Sequence, residues 1–153
     1  MARVALIGTN SIGYIHALID IWNSGHCAVL IDYHTPFYAA IQMMREADVQ
    51  ICYLQEDLWS EYISAYTEIE FVRYFSDSKL TVALPKFLYD EFHPNYSHHE
   101  AVIIYSSGTT GKSKGIILSH FAINTTADAI IDYMNKINGQ GKTIDAEKTV
   151  ENL

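Results

Sequence analysis

One eleven-residue run, Tyr105-Ser-Ser-Gly-Thr-Thr-Gly-Lys-Ser-Lys-Gly115, constrains this chain more than any other segment. It follows the apolar stretch Ala101-Val-Ile-Ile-Tyr105 and leads into Ile116-Ile-Leu118. Glycine tolerates the backbone angles a concave nest requires, so consecutive N–H groups can converge on an anion. The serine and threonine hydroxyls add donors, and a lysine supplies a compact positive charge suited to phosphate. That chemistry suits a nucleoside triphosphate. The apolar runs on either side predict a strand, a loop and a second strand.

Two other readings fit part of the run. Gly111-Lys112-Ser113 matches the end of a Walker A loop. That loop also needs glycine where Ser106 stands and a helix beginning at the lysine and serine, whereas Gly115-Ile-Ile-Leu118 prefers strand. The other reading is an ordinary turn between strands, for which Gly, Ser and Thr are the usual residues. A plain hairpin has no need of two lysines.

At 153 residues the chain fits one domain, and 49% apolar with 18% charged residues marks it as globular. The net charge of -8 argues against a nucleic-acid or anionic-membrane surface, and it means a bound polyanion must be held by local dipoles and lysines. Cys27 and Cys52 sit in apolar, strand-like runs and read as buried free thiols of a reducing compartment. No apolar run approaches a membrane span, and Gly-Thr-Asn-Ser interrupts the N-terminal apolar stretch too soon for a signal peptide. The cytoplasm is the expected location.

Periodicity predicts an α/β protein with a mainly parallel sheet and flanking helices. Val4–Ile7, Ala28–Ile31 and Val49–Leu54 are buried-strand candidates. Ser11 is placed to cap a helix with Ile15, Leu18, Ile19 and Trp22 on its buried face, and Gly25 to end it. Thr35 as cap and Pro36 in the first turn open a second helix with Phe37, Ala40, Ile41 and Met44 inward. Further on, Glu56–Ala65 reads as helix, Glu70–Tyr74 and Leu80–Leu84 as strands, and His93–Glu100 as loop. Ser119 is expected to cap a helix built on Ile123, Ala127, Ile130 and Met134. Single helices between strands imply parallel pairing with right-handed crossovers. The boundaries expected are a folded unit over 1–137 and a polar, frayed tail over 138–153.

Ser106-Ser107-Gly108-Thr109-Thr110-Gly111-Lys112-Ser113-Lys114-Gly115 resembles the phosphate-loop signature of the acyl-adenylate-forming (AMP-binding) superfamily, which includes acyl-CoA ligases, luciferases and peptide-synthetase adenylation domains. Ile116-Ile-Leu-Ser-His120 is similar to the strand and Ser-His pair that follow the loop there. Upstream, Val4–Ser11, Trp22–Gly25 and Leu30–Pro36 resemble the family's early strand–helix–strand region, so the likeness covers 1–134. It implies part of the N-terminal domain of an enzyme that joins a carboxylic acid to the α-phosphate of ATP, with Mg2+ accompanying ATP, and then passes the acyl group to a thiol such as that of CoA. On the same resemblance Ser106, Ser107, Gly108, Thr109, Thr110, Gly111 and Lys114 hold the phosphates, and Lys114 neutralises charge as pyrophosphate leaves. Lys112 occupies a variable position and reads as a surface lysine.

The chain departs from the family pattern in two ways. Ser113 stands where proline is usual. Tyr-Gly-x-Thr-Glu for adenine, Thr-Gly-Asp for ribose and the C-terminal lysine region are all missing. The resemblance therefore implies one piece of a longer enzyme, inactive alone. The alternative is a non-catalytic product or a module that pairs through exposed apolar surface, by self-association or with another chain.

Two further patterns imitate sites. Gly8-Thr-Asn-Ser-Ile-Gly13, followed by Asp32, imitates a dinucleotide-binding unit, but Asn10 replaces its middle glycine, and Asp32 reads as a turn former before Pro36. His98-His99-Glu100 imitates a metal site without a second ligand cluster and reads as a solvated loop. His120 reads as a structural histidine at a helix N-terminus.

Overall fold

The structure is a computed structural model and describes residues 1–65, 68–76, 93–106 and 113–139. Strands β1 (Arg3–Gly8), β2 (Cys27–Asp32), β3 (Ile51–Gln55), β4 (Glu70–Tyr74), β5 (Glu100–Ser106) and β6 (Lys114–Ser119) form one sheet. Its order is β4-β3-β1-β2-β5-β6. The first five strands run parallel, and β6 turns back antiparallel to β5.

Among the described residues the helices are α1 (Ile12–Asn23), α2 (Phe37–Glu46), α3 (Trp59–Ile63) and α4 (His120–Ile137), with a 3₁₀ turn over Glu56–Leu58. Because strand side chains alternate, β1 feeds two cores at once. Val4 and Leu6 point to one face, with Ala28, Val102, Ala17 and Ile21. Ala5 and Ile7 point to the other, with Cys27, Val29, Cys52, Leu54 and the α2 residues Ala40, Ile41 and Met44. Both faces of β1 are covered, which is why Val4–Ile7 reads as an unbroken apolar run.

The helix ends follow local chemistry. Ser11 Oγ accepts the backbone N–H of Tyr14, as its capping role predicts. Gly25 takes φ 74°, its N–H bonds Trp22 O, and the next N–H bonds Ile21 O, a Schellman ending that favours glycine.

Several expectations need correcting. Ile15 is 43% exposed, whereas Leu18, Ile19 and Trp22 of the expected face are buried or half-buried, together with Tyr14, Ala17 and Ile21. Thr35 does not cap α2; Pro36 holds that position with no side-chain hydrogen bond. Glu56–Ala65 divides into the 3₁₀ turn and the five-residue α3. In α4 His120 and Ile123 pack on the described core, while Ile130 and Met134 are exposed. Leu80–Leu84 and residues 140–153 of the expected tail lie outside the described residues.

Two consequences are measurable. A methyl group on Gly13 would sit 2.0 Å from the carbonyl oxygen of Phe75. Alanine is ordinarily better than glycine in a helix by about 1 kcal/mol. Here backbone must move, so Gly13→Ala is expected to destabilise by about 1–3 kcal/mol in urea unfolding. A gain in stability would contradict the close approach.

Burial pushes the Cys27 thiol up to about 11 and raises Cys52 as well. In the unfolded chain both ionise near the ordinary thiol value of about 8.5. Their contribution to stability is therefore complete below pH ~8.5 and falls as pH rises towards 11. Neither thiol should react with an aromatic disulfide reagent at pH 8 until the chain unfolds.

Candidate phosphate-loop site

All five parallel strands end at one edge, which places Gly8, Asp32, Gln55, Tyr74 and Ser106 along the same rim of the sheet. Ligands of open α/β sheets bind outside this carboxyl edge. β5 reaches it beside β2, with Leu30 opposite Ile104 two residues before Asp32 and Ser106. β6 then departs from the same rim, with Ser106 opposite Lys114, Tyr105 opposite Gly115 and Ile104 opposite Ile116. The glycine-rich run thus joins two paired strands. A Walker A loop would require a helix beginning at Lys112 and Ser113 and running on past them; Lys114–Ser119 is instead strand β6, which argues against that reading.

Of the predicted site residues, the structure places Ser106 at the end of β5 and the exposed Lys114 at the start of β6. Ser107, Gly108, Thr109, Thr110 and Gly111, together with Lys112, lie outside the described residues. The residue leading into the run is anchored: Tyr105 donates its hydroxyl to Met43 O at 3.0 Å, tying β5 to α2. Burial raises its phenol, and nearby Glu46 adds to the effect, so the hydroxyl remains a donor at neutral pH.

The rest of the rim carries a polar network that sequence reasoning missed. Buried Gln55 accepts both the N–H and the hydroxyl of Thr9 on its Oε1, at 2.8 and 2.9 Å, and donates Nε2 to Asp57. Asp57 also accepts the Tyr33 hydroxyl. Glu56 accepts the N–H and hydroxyl of Ser76; burial pushes its carboxyl up, but these donors outweigh that and hold it below the usual range. Tyr74 donates to Ile7 O, and a methyl on Gly8 would sit 1.7 Å from the Tyr74 oxygen. Gly8 is needed for Tyr74, so the dinucleotide-like glycine has a packing reason. A glutamine closing an apolar strand was the available signal.

These carboxylates are occupied by internal donors and stand on the β3 and β4 side of the rim, away from Lys114. Asp32 is the carboxylate beside β5, and it accepts the N–H of His34 on Oδ1 and that of Thr35 on its carbonyl, the turn role expected of it. A cavity of about 800 Å³ opens at the opposite edge, where β3 and β4 begin. Asp48, Glu68 and Glu70 line it with Arg45, a set unsuited to a polyanion.

His120 is the first residue of α4 and 9% exposed, with its ring edge-on to Trp22. Burial, with nearby His99, holds its imidazole below the usual range, so it is a neutral structural group far from the rim. Glu100 of the histidine-rich stretch pairs with Arg3 at 3.0 Å, and the His98 ring lies against Phe121. Both have structural partners.

Comparison with known proteins agrees with this geometry. Malonate–CoA ligase of Arabidopsis thaliana is 27% identical over 132 residues, covering 81% of this chain and 22% of that protein. A nonribosomal peptide synthetase of Leptosphaeria maculans is 28% identical over 129 residues, 82% of this chain and 6% of its own length. In fold, ATP-bound MatB from Rhodopseudomonas palustris superposes with a TM-score of 0.66 at 21% identity, over 86% of this chain and 27% of MatB. The chain thus spans about a quarter or less of the length of these relatives. The model of the family described as AMP-binding enzyme matches residues 1–145, and with the sheet order and the β5–β6 stem in place the chain belongs to that family.

Proposed function

We propose that the run between β5 and β6 holds the triphosphate of ATP in an adenylate-forming ligase, and that residues 1–137 supply this piece of the AMP-binding domain while 138–153 form a polar tail. One observation carries the reading: Ser106 and Lys114 are register partners at the carboxyl rim, so the loop's two ends are held by a paired two-strand stem. Preorganised donors lose little entropy on binding, which is what a phosphate cradle requires.

In this reading Thr109 and Thr110 donate to the β- and γ-phosphates, and Ser106 and Ser107 supply further hydroxyls. The backbone N–H groups around Gly108 and Gly111 cradle the same oxygens. Lys114 offsets the charge that develops when a carboxylate oxygen bonds to the α-phosphorus and pyrophosphate leaves. Mg2+ enters with ATP and supplies the remaining counter-charge to the triphosphate. The acyl-AMP is then consumed by a thiol, CoA being the acceptor named for the plant relative; the acyl carbon bonds to sulfur and AMP departs. The cytoplasm, where ATP and CoA are available, is the matching compartment. Adenine and ribose determinants are missing from the sequence, so residues 1–153 hold the triphosphate half of the nucleotide and do not complete the reaction by themselves.

Three measurements test this. Lys114→Ala should weaken MgATP binding at least tenfold, about 1.4 kcal/mol, in equilibrium dialysis, while Lys112→Ala stays near the parent; equal affinities for parent and Lys114→Ala would remove the lysine from the site. Residues 1–153 alone should show no carboxylate-dependent ATP–pyrophosphate exchange, and robust exchange abolished by Lys114→Ala would overturn the incomplete-site reading. Tyr105→Phe loses the bond to Met43 and should cost about 0.5–1.5 kcal/mol of stability, with a smaller loss of MgATP affinity than Lys114→Ala. No change in either quantity would show that Tyr105 does not position the loop.

A further inference from the structure

Of the asparagines in this chain, Asn138 is the one followed by glycine. The carboxamide carbon of an asparagine is open to attack by the backbone nitrogen of the next residue, and a side chain on that residue obstructs the approach. Glycine leaves it clear. Asn138 closes α4 with φ -68° and ψ -5°, and its N–H bonds Met134 O at 3.0 Å. Gly139 follows with φ 56°, and both residues are exposed. Among the described residues, a Cβ built on Gly139 would meet nothing nearer than Ile137 O, at 3.6 Å. To react, Asn138 must turn ψ away from its helical value until the Gly139 nitrogen faces Cγ. That rotation moves Gly139 and the chain beyond it and leaves the bond to Met134 intact.

The other described asparagines are held. Asn10 precedes Ser11, whose Oγ accepts the Tyr14 N–H and whose carbonyl accepts that of Ile15, so turning Asn10 would shift the start of α1. Asn23 precedes Ser24, whose N–H is bonded to Asp20 O at 3.0 Å. Asn95 accepts the Ser97 N–H on Oδ1, and Asn124 donates Nδ2 to Asn95 O and His120 O. Tyr96 and Thr125, which follow them, also bring bulk to the attacking position. Asn135 lies inside α4.

We infer that Asn138 is a spontaneous modification site, deamidating through a cyclic imide while the other described asparagines of the folded chain stay largely intact. The Gly139 nitrogen bonds to Asn138 Cγ and gives up its proton, and the side-chain nitrogen leaves as ammonia. Water then opens the imide at one of its two carbonyls. One opening gives aspartate; the other gives isoaspartate, with the backbone routed through the former side chain. Water is the sole co-reactant. Either product adds one negative charge to the net charge of -8 and sets it at the C-terminal end of α4, where the helix dipole is already negative. The last turn of α4 therefore loosens where the polar segment begins. The reaction does not involve the phosphate loop, so it stands or falls separately from nucleotide binding.

Peptide mapping of the 153-residue chain, aged in warm, mildly alkaline buffer, should find the amide-to-acid mass change at Asn138 in the tryptic fragment Ile137–Lys142. The same chain in guanidinium gives the rate without structure. Native Asn138 should react within about threefold of that rate, whereas folding should slow Asn10 and Asn23, each before serine, at least about tenfold. Gly139→Ala should slow Asn138 roughly tenfold. Alanine at φ 56° loosens the helix end, which by itself would speed the reaction, so slowing reports the obstructed approach. An isoaspartyl methyltransferase should label the aged parent far more than the equally aged variant. An inert Asn138 in the native chain, slowing there equal to that at Asn10 and Asn23, or an unchanged rate in Gly139→Ala would each overturn the inference.

Discussion

The placement of β5 beside β2 is the constraint on which the site depends. Its ladder spans only Ala28 opposite Val102 to Leu30 opposite Ile104, yet it decides where the glycine-rich run begins. Side chains from three directions hold β5 there. At its start Glu100 receives Arg3 from β1 through two hydrogen bonds, at 3.0 and 3.1 Å. On one face the Trp22 indole of α1 donates to Ala101 O, and at the far end Tyr105 reaches Met43 O on α2. The ion pair is about 30% exposed on each side, so its net worth is of the order of 1 kcal/mol or less, and the two neutral bonds contribute about 1 kcal/mol each. Their combined effect is positional: they tie β5 to β1, α1 and α2 at once.

From that placement the rest of the functional half follows. β6 pairs back on β5 and returns the chain from the carboxyl rim with Lys114 opposite Ser106. The turn-back leaves β6 as an outer strand, with Ile116 and Ile117 each 51% exposed. Ser119 then starts α4, whose first turn packs against Trp22 and whose remainder projects from the sheet. The interior side of the sheet, β1 with β2 and β3, is by contrast covered on both faces.

Much of this was legible in the residues. Buried parallel strands show as apolar runs, so β1, β2 and β3 were found within two residues of their ends. Ser11, Gly25 and Ser119 mark helix ends because their chemistry satisfies backbone groups locally. Thr35 failed because Pro36 itself takes the capping position, and Ile15 failed because the buried face of α1, on β1 and β2, is centred on Ala17, Leu18 and Ile21 and leaves Ile15 at its edge. Ile130 and Met134 have the periodicity of a buried stripe, but periodicity records only that a face is apolar, not what covers it. Gln55, Tyr74 and Glu56 carried little signal, since their partners Thr9, Ile7 and Ser76 are 20 to 67 residues away along the chain.

The sequence by itself determined the local chemistry: which runs are strands, where helices begin, and that a glycine, hydroxyl and lysine cluster suited to phosphate lies between two apolar strands. Those properties depend on residues within a few positions of one another. Tertiary structure alone decided that the two ends of this cluster, Ser106 and Lys114, are paired at the carboxyl rim, that β2, which ends in Asp32, lies beside β5, and that Ile130 and Met134 of α4 are exposed. Each depends on which strand lies beside which, and strand order is set by contacts between residues far apart in the chain, such as Arg3 with Glu100.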